Sequence, residues 1–383
     1  STTNHPPHQS RARLYCAMSS VCYIGSSAAA QTKVSDSPSF GKVAPPAQER
    51  KGILVFDGAM ASEVAFVETD AHVGWIQRHP TNGCIYLASN SKIHAATVDA
   101  QGVPSLTGSN AEALGNPAHF EITKDGKWVL CANYSASTLA VVPILADGSV
   151  GPATDSKMHV VKLNPELKDR QEVCHPHQVR LDPSGAWALA CDLGASKVWV
   201  YAFDSVRGAL AGAANSKRHL ALPEASGPRH LDFHPASPWV YVLCELDGNI
   251  VGCTWDAADG TLTPFQTVYT LPDGLAPCRA HHSGGAHILV SKDGKSLYAS
   301  TRTDGAIVVF DIDGASGQLS FKQRLPCGGV CPRNFVLAEG GQLRVGNQDS
   351  QNVTIFNIGE GGELSQAHVV ALDGVCPNVL TAP

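Results

Sequence analysis

The sequence has no apolar stretch long enough to cross a bilayer, and it contains few charged residues. No run approaches the roughly 18 consecutive apolar residues that a transmembrane helix needs. Charged residues make up only 16% of the chain, and 34 acids outnumber 28 bases to give a net charge of -6. An acidic balance argues against a general nucleic-acid-binding surface. These absences predict a soluble protein that binds neither membrane nor nucleic acid.

Motifs that carry cofactor or metal chemistry are also missing. There is no glycine-rich phosphate loop at a strand-to-helix junction and no G-x-S-x-G elbow. The histidines lack the spacing of a zinc motif, and the 12 cysteines form no CxxC pair. We therefore expect no cofactor and no metal. Single cysteines within apparent strands, as at Cys131, Cys191, Cys244 and Cys253, are typical of a reduced, cytoplasmic protein.

Long helical patterns are absent as well, whereas turn-forming residues are abundant. The chain of 383 residues contains 36 Gly and 24 Pro, which favours an all-β protein with many turns. The segment 175–204, HPHQVRLDPSGAWALACDLGASKVWVYAFD, predicts three short strands joined by tight turns. Because consecutive strands are antiparallel, the start of the first strand and the end of the second lie together. We therefore expect His177 and Asp192 to be neighbours.

The same plan recurs along the chain. An irregular first unit has strands at 21–26 and 52–57, and the later units lie at 75–99, 118–144, 175–204, 229–256, 286–312 and 333–358. Turn signals such as Asp147-Gly148 and Asp313-Gly314 follow the third strands and imply a fourth strand in each unit. Seven four-stranded units predict a seven-bladed β-propeller.

The two ends of the chain are predicted to close the ring. Residues 374–378, GVCPN, echo 329–333, GVCPR, so the end of the chain resembles the start of another unit. A C-terminal strand that pairs with the first blade would remove an open sheet edge. We interpret residues 1–13 as a flexible tail, with an organellar transit role as the alternative, and residues 14–383 as one propeller domain that includes a loop at 31–50.

Polar residues at strand starts and second-strand ends are the candidate site residues, because these positions converge at one end of a propeller channel. The strand starts supply His119, His177, Arg229, His230, His287 and Arg333, and the second-strand ends supply Asn133, Tyr134, Asp192, Glu245, Arg302, Asn347 and Gln348. Three arginines and a glutamate at one mouth favour an anionic ligand, which would relieve the crowding of like charges. A linker carrying Arg279, His281 and His282 is either exposed or ligand-gating.

Four stretches of the chain resemble the seven-bladed propeller lactonase family. They are 175–201, the GPRH segment from 227 to Glu245, 287–310 with Thr301-Arg302-Thr303, and 332–352. The family includes bacterial-type 6-phosphogluconolactonase and 3-carboxy-cis,cis-muconate lactonizing enzyme. The resemblance implies a catalytic set of His177, Arg229, Glu245 and Arg302.

The resemblance leaves the reaction open. For hydrolysis of an anionic lactone such as 6-phosphogluconolactone, Glu245 or His177 would act as general base. Arg229 and Arg302 would bind the anion and the developing oxyanion, and Arg333 would add a further anion contact. His119, His230, His287, Asp192 and Asn133 are expected to bind substrate. The alternatives are a lactone-forming cycloisomerase that uses the same residues, and a non-catalytic propeller with an apolar patch for a protein partner.

Overall fold

The computed structural model describes residues 21–27, 48–162, 164–212, 218–273, 275 and 284–382. The predicted tail at 1–13 and most of the predicted 31–50 loop lie outside these ranges. The described chain folds into seven sheets of antiparallel strands, in which each sheet is one blade of a β-propeller. Within this part of the chain no helix is long and apolar enough to span a membrane.

The strand bounds follow the predicted units. The first two blades contain β1 (Val21–Ser27), β2 (Gly52–Asp57), β3 (Glu63–Glu68), β4 (Val73–Arg78), β5 (Ile85–Ser89), β6 (Lys92–Val98) and β7 (Pro104–Glu112). Blades three and four contain β8 (Pro117–Ile122), β9 (Trp128–Asn133), β10 (Thr138–Pro143), β11 (Asp155–Met158), the single turn α1 (Lys168–Gln171), β12 (Pro176–Leu181), β13 (Trp187–Asp192), β14 (Lys197–Asp204), β15 (Ala209–Ala211) and β16 (His219–Ala221).

Blades five to seven repeat the four-stranded order without additions. They contain β17 (Pro228–Phe233), β18 (Trp239–Cys244), β19 (Asn249–Asp256), β20 (Thr261–Tyr269), β21 (Gly285–Val290), β22 (Ser296–Thr301), β23 (Ala306–Ile312), β24 (Leu319–Pro326), β25 (Pro332–Ala338), β26 (Gln342–Asn347), β27 (Asn352–Ile358) and β28 (Leu364–Ala371). The last strand, β29 (Cys376–Leu380), pairs antiparallel with β1 and is the innermost strand of blade one. The predicted ring closure is confirmed.

The hydrophobic core is divided among the interfaces between blades. Each of seven clusters of buried side chains joins two neighbouring blades, because a β-sheet that is apolar on both faces must be covered on both. The inner strands are also linked across these interfaces. Gln178, for example, accepts a hydrogen bond from the Leu231 backbone N–H at 2.7 Å, and Asn334 accepts one from the Leu380 N–H at 3.0 Å. These links hold the starts of the inner strands at fixed positions around the channel.

Candidate functional site

A β-bulge near the start of every inner strand builds the mouth of the channel. In six blades the pairing with the second strand skips one residue, and in blade six it skips Ala286 and His287. The six skipped residues are Gly74, Ala118, His177, Arg229, Arg333 and Asn378. Proline precedes five of them. Proline has no backbone N–H, but it is tolerated at these positions because the ladder of hydrogen bonds is interrupted at a bulge near a strand start. The bulge re-aims the following side chain.

All six skipped residues line one cavity of about 420 Å³. The equivalent positions differ in chemistry around the ring. Blades two and three contribute the small residues Gly74 and Ala118, whereas blades four, five and seven contribute His177, Arg229 and Arg333. The rest of the wall includes Trp75, Asn116, Tyr134, Ser135, His230 and Asn334. The cavity is therefore lined by small residues on the side of blades two and three, and it is cationic on the side of blades five and seven.

Glu245 is the anchor of the cationic side. It lies at the end of β18 and is only 1% exposed. Its Oε2 is 2.9 Å from Arg229 Nε and 3.0 Å from Arg302 NH2, and its Oε1 is 2.5 Å from Arg170 NH2. Burial alone would raise the pKa of Glu245, but Arg302, Arg170 and Arg229 together hold that pKa well below its ordinary value. Glu245 is thus a permanent carboxylate that organises three guanidinium groups.

Arg170 was missed by the sequence reasoning. It lies in α1, within the connection 159–175 between blades three and four, and not in any repeating unit. The repeat pattern on which the other residues were chosen carries no information about such a segment. The available signals were the length of this connection and its three basic residues, Lys162, Lys168 and Arg170.

Four histidines form a cluster next to the arginines, and two of them, His177 and His230, also line the cavity. The ring of His230 is 5.2 Å from that of His177, 6.0 Å from His119 and 4.9 Å from His287. Burial is the largest cause that lowers the pKa of all four below the ordinary histidine value, and for His287 to about 3. The cluster is therefore neutral near pH 7.

The hydrogen bonds of the cluster define its tautomers. Arg229 NH1, which can only donate, is 3.3 Å from His230 Nε2, so this nitrogen is the acceptor. A neutral His230 then has its proton on Nδ1, which donates to His287 Nδ1 at 2.7 Å. His177 differs from these two, because its Nδ1 is buried and has no hydrogen-bond partner among the described residues, while the residue itself lines the cavity.

Positive charge exceeds negative charge in this region. Four arginines, Arg170, Arg229, Arg302 and Arg333, are accompanied by Glu245 and Asp349, whose charges interact with those of Arg333 and Arg302. The formal excess is two positive charges when both carboxylates are ionised. Burial and the charge of Arg302 lower the pKa of Arg229 well below the usual arginine value. A bound anion would relieve this repulsion.

Several predicted residues serve the framework instead of the cavity. Asp192 Oδ2 is 2.6 Å from His159 Nδ1 and accepts from Trp199 Nε1, while Oδ1 accepts from the His175 backbone N–H. Asp192 is next to His177 in the strand register, since it pairs with Pro176, but its carboxylate is directed to these other groups. Asn133 similarly donates to the Ala113 carbonyl and Thr138 Oγ1, and Asn347 donates to the Cys327 carbonyl and Thr354 Oγ1.

The remaining predicted residues have mixed positions. His119 packs against Trp75 with ring centroids 4.2 Å apart, and His287 packs against Phe335 at 4.8 Å; both histidines are buried. Gln348 Oε1 is 3.3 Å from Arg333 NH1. The gating segment with Arg279, His281 and His282 lies outside the described residues. In the part of the chain that the structure describes, no group of three or more His, Cys, Asp or Glu side chains could hold a metal ion.

Known proteins share both the sequence pattern and the fold. The model of the family described as "Lactonase, 7-bladed beta-propeller" matches residues 46–375. The 6-phosphogluconolactonase of Bacillus subtilis is 31% identical over 242 residues, which cover 63% of this chain and 66% of the relative, slightly under two thirds of its length. The 6-phosphogluconolactonase of Pectobacterium atrosepticum is 29% identical over 68% of this chain and 72% of the relative.

A solved structure covers more of the chain. The periplasmic gluconolactonase of Pseudomonas aeruginosa superposes with a TM-score of 0.77 at 25% identity, over 94% of this chain and 98% of that one. Its fold therefore matches from the first blade to the last. With the family model, the repeat, the ring closure and the charged channel mouth in agreement, this chain belongs to the seven-bladed β-propeller lactonase family.

Proposed function

We propose that this protein hydrolyses 6-phosphogluconolactone to 6-phosphogluconate. The observation that carries the proposal is the formal excess of two positive charges around a cavity lined by Arg229, Arg333 and His177. A phosphate monoester carries a charge of about -1.5 to -2 at pH 7, which is close to this excess. The names of the Bacillus and Pectobacterium relatives support the same substrate.

In the proposed reaction His177 is the general base. A carboxylate whose pKa lies far below the ordinary value takes a proton poorly, which disfavours Glu245. His177 is neutral at pH 7 and lines the cavity. Its Nδ1 makes no hydrogen bond to any of the described residues. It would take a proton from water as the water oxygen bonds to the lactone carbonyl carbon. The ring C–O bond then breaks, and the proton on His177 passes to the leaving ring oxygen.

In this proposal the arginines have two different roles, substrate binding and the positioning of Glu245. Arg229 and Arg333, which line the cavity, bind the phosphate and stabilise the charge that develops on the carbonyl oxygen. Arg302 is buried against Glu245 and the Gly285 carbonyl, so it holds that carboxylate in place. Glu245 thereby positions the guanidinium groups without touching the substrate.

The two other functions considered from the sequence have less support. A lactone-forming cycloisomerase would use the same residues, but the relatives named above carry lactonase names. A protein-binding propeller would need an apolar patch at the mouth, where this protein has arginine and histidine side chains. We also propose a cytoplasmic location, for which the free, mostly buried thiols are the support.

A substrate panel tests the proposal. The wild-type protein and the Arg229→Ala and Glu245→Gln variants are offered 6-phosphogluconolactone, uncharged glucono-δ-lactone and carboxymuconate, with circular dichroism as a folding check. We expect preferential turnover of the phosphorylated lactone, and a loss of about 100-fold or more in kcat/KM for Arg229→Ala. Arg207→Ala, at an 81% exposed side chain on an outer turn, is the matched control. Full turnover by folded Arg229→Ala would show that the proposed site is wrong.

A further inference from the structure

Arg170 reaches the candidate site from outside the propeller repeat. Its backbone has φ +77°, in the left-handed region that costs a non-glycine residue conformational free energy. The adjacent Gln171 holds the segment in this conformation, because its buried amide donates to the Leu193 carbonyl at 2.7 Å and to Ser196 Oγ at 2.9 Å. The fold thus holds Arg170 in an unfavourable backbone conformation, which indicates that the position of its side chain near Glu245 has a function.

The Arg170 guanidinium is only partly used by the protein. Its NH2 group donates to Glu245 Oε1 at 2.5 Å and lies 3.4 Å from the Tyr134 hydroxyl. Its Nε and NH1 are buried and have no hydrogen-bond partner among the described residues. Buried donors are nearly always paired, so these two need an acceptor. Tyr134 lines the cavity although Arg170 itself does not, so an acceptor can come from a ligand that extends past Tyr134.

The neighbouring groups narrow the chemistry of this acceptor. Glu245 has both oxygens occupied by Arg170, Arg229 and Arg302, so it has little capacity left for the two donors. A guanidinium N–H that has no protein acceptor matches an anionic oxygen, such as an oxygen of a phosphate. The charge of Arg170 also forms part of the local cationic excess.

We propose that Arg170 is a specificity-determining residue, one of whose unpaired N–H groups binds the phosphate of the substrate while its NH2 keeps Glu245 in place. This inference rests on the proposed lactonase function for the identity of the substrate, although its anion-binding part does not depend on turnover. Arg170 thus adds a fourth guanidinium to the site and selects phosphorylated over uncharged lactones.

Binding measurements separate the two parts. The dissociation constants of 6-phosphogluconate and of inorganic phosphate are measured by calorimetry for wild type, Arg170→Gln, Arg170→Lys and the exposed control Arg207→Gln. We expect Arg170→Gln to weaken both ligands by about tenfold or more, which is the effect of losing a charge-assisted contact. Arg170→Lys keeps the charge but has one side-chain nitrogen in place of three, so it should be intermediate, and the control should match wild type.

Kinetics then test selectivity. Arg170→Gln should reduce kcat/KM for 6-phosphogluconolactone by a similar factor and reduce that for glucono-δ-lactone less, because the uncharged lactone loses only the positioning of Glu245 whereas the phosphorylated lactone also loses a phosphate contact. An equal loss for both lactones would reduce Arg170 to a structural role, and unchanged anion binding would overturn the inference. If Arg170→Gln does not fold, phosphate binding by Arg170→Lys that is as tight as in the wild type would likewise overturn the inference. A wild type that binds both anions but hydrolyses neither lactone would contradict only the proposed function.

Discussion

The protonation of His177 depends on the arginines around it. Burial is the largest cause that lowers its pKa well below 6.5, the Arg229 charge lowers it further, and the Glu245 charge opposes both. In the free protein the imidazole is therefore neutral down to pH values well below 6.5. An anion that neutralises Arg229 and Arg333 removes part of this depression, so the pKa of His177 should rise when substrate binds.

The pH dependence of turnover tests this linkage. The acid limb of kcat/KM, which reports the free enzyme, should lie below the ordinary histidine pKa of about 6.5, and the acid limb of kcat, which reports the complex, should lie at higher pH. Both profiles are measured with the spontaneous hydrolysis of the lactone subtracted. His177→Asn should lower kcat by about 100-fold or more and abolish the limb. Identical limbs in wild type and His177→Asn would exclude His177 as the base.

The sequence allowed some site residues to be predicted, and the reason is repetition. His177, Arg229 and Arg333 occupy equivalent positions in three repeating units, so one correctly assigned unit located all three. Side-chain direction is not set by repetition. Asp192 lies where the pattern predicted, but its carboxylate is directed to Trp199 of the adjacent strand β14 and to His159, which lies in the 159–175 connection outside the repeat.

At the scale of elements, the bulge at each inner strand converts a structural repeat into an asymmetric site. The same backbone irregularity presents Ala118 in blade three and Arg333 in blade seven to the same cavity from opposite parts of the ring. The phosphate is proposed to lie on the arginine side. The lactone ring then extends toward Gly74 and Ala118, where small side chains leave room beside Trp75.

Enlarging Ala118 should separate recognition of the ring from recognition of the phosphate. Ala118→Leu places a bulky side chain in the open part of the cavity, and we expect a loss of about tenfold or more in kcat/KM for 6-phosphogluconolactone. Binding of inorganic phosphate should change by less than about twofold, because the arginines are unaffected. Ala211→Leu, at an exposed position of β15, is the control.

The opposite pattern, weaker phosphate binding with unchanged turnover of the lactone, would contradict this orientation of the substrate.

Element bounds outside the repeat were harder to predict than this site. In blade four, β15 pairs with the C-terminal part of β14 and the additional strand β16 pairs with its N-terminal part, and no other unit offered a pattern from which to infer this division.

At the scale of the whole molecule, the fold could be predicted because each blade must bury both of its faces. That requirement produces the regular order of strands and turns along the chain, from which the seven blades follow. The closing strand was identified from a short sequence echo, since Cys376-Pro377-Asn378 begins β29 and the similar Cys331-Pro332-Arg333 lies at the start of β25, which begins at Pro332. The 159–175 connection has no counterpart, so its turn and the position of Arg170 had no basis for prediction.

The closing strand contributes to the cores on both sides of blade one. Val379 is fully buried in the cluster shared with blade two, and Leu380 is 4% exposed in the cluster shared with blade seven. Adjacent residues of a strand face opposite sides of a sheet, so one short strand can tie three blades together. Loss of its packing should weaken the ring at the point where the two chain ends meet.

Leu380→Ala tests how much the ring depends on this closure. A buried Leu→Ala change costs about 2–5 kcal/mol, because it removes apolar contacts and leaves a cavity, whereas the same change at 49% exposed Leu145 should cost about 0.5 kcal/mol or less. Thermal unfolding should therefore show a lower midpoint for Leu380→Ala than for Leu145→Ala. Limited proteolysis should also cut the C-terminal segment of Leu380→Ala first, since β29 is held only by β1 within its sheet. Equal midpoints and equal cleavage patterns for the two variants would mean that the remaining blades are stable without a packed closing strand.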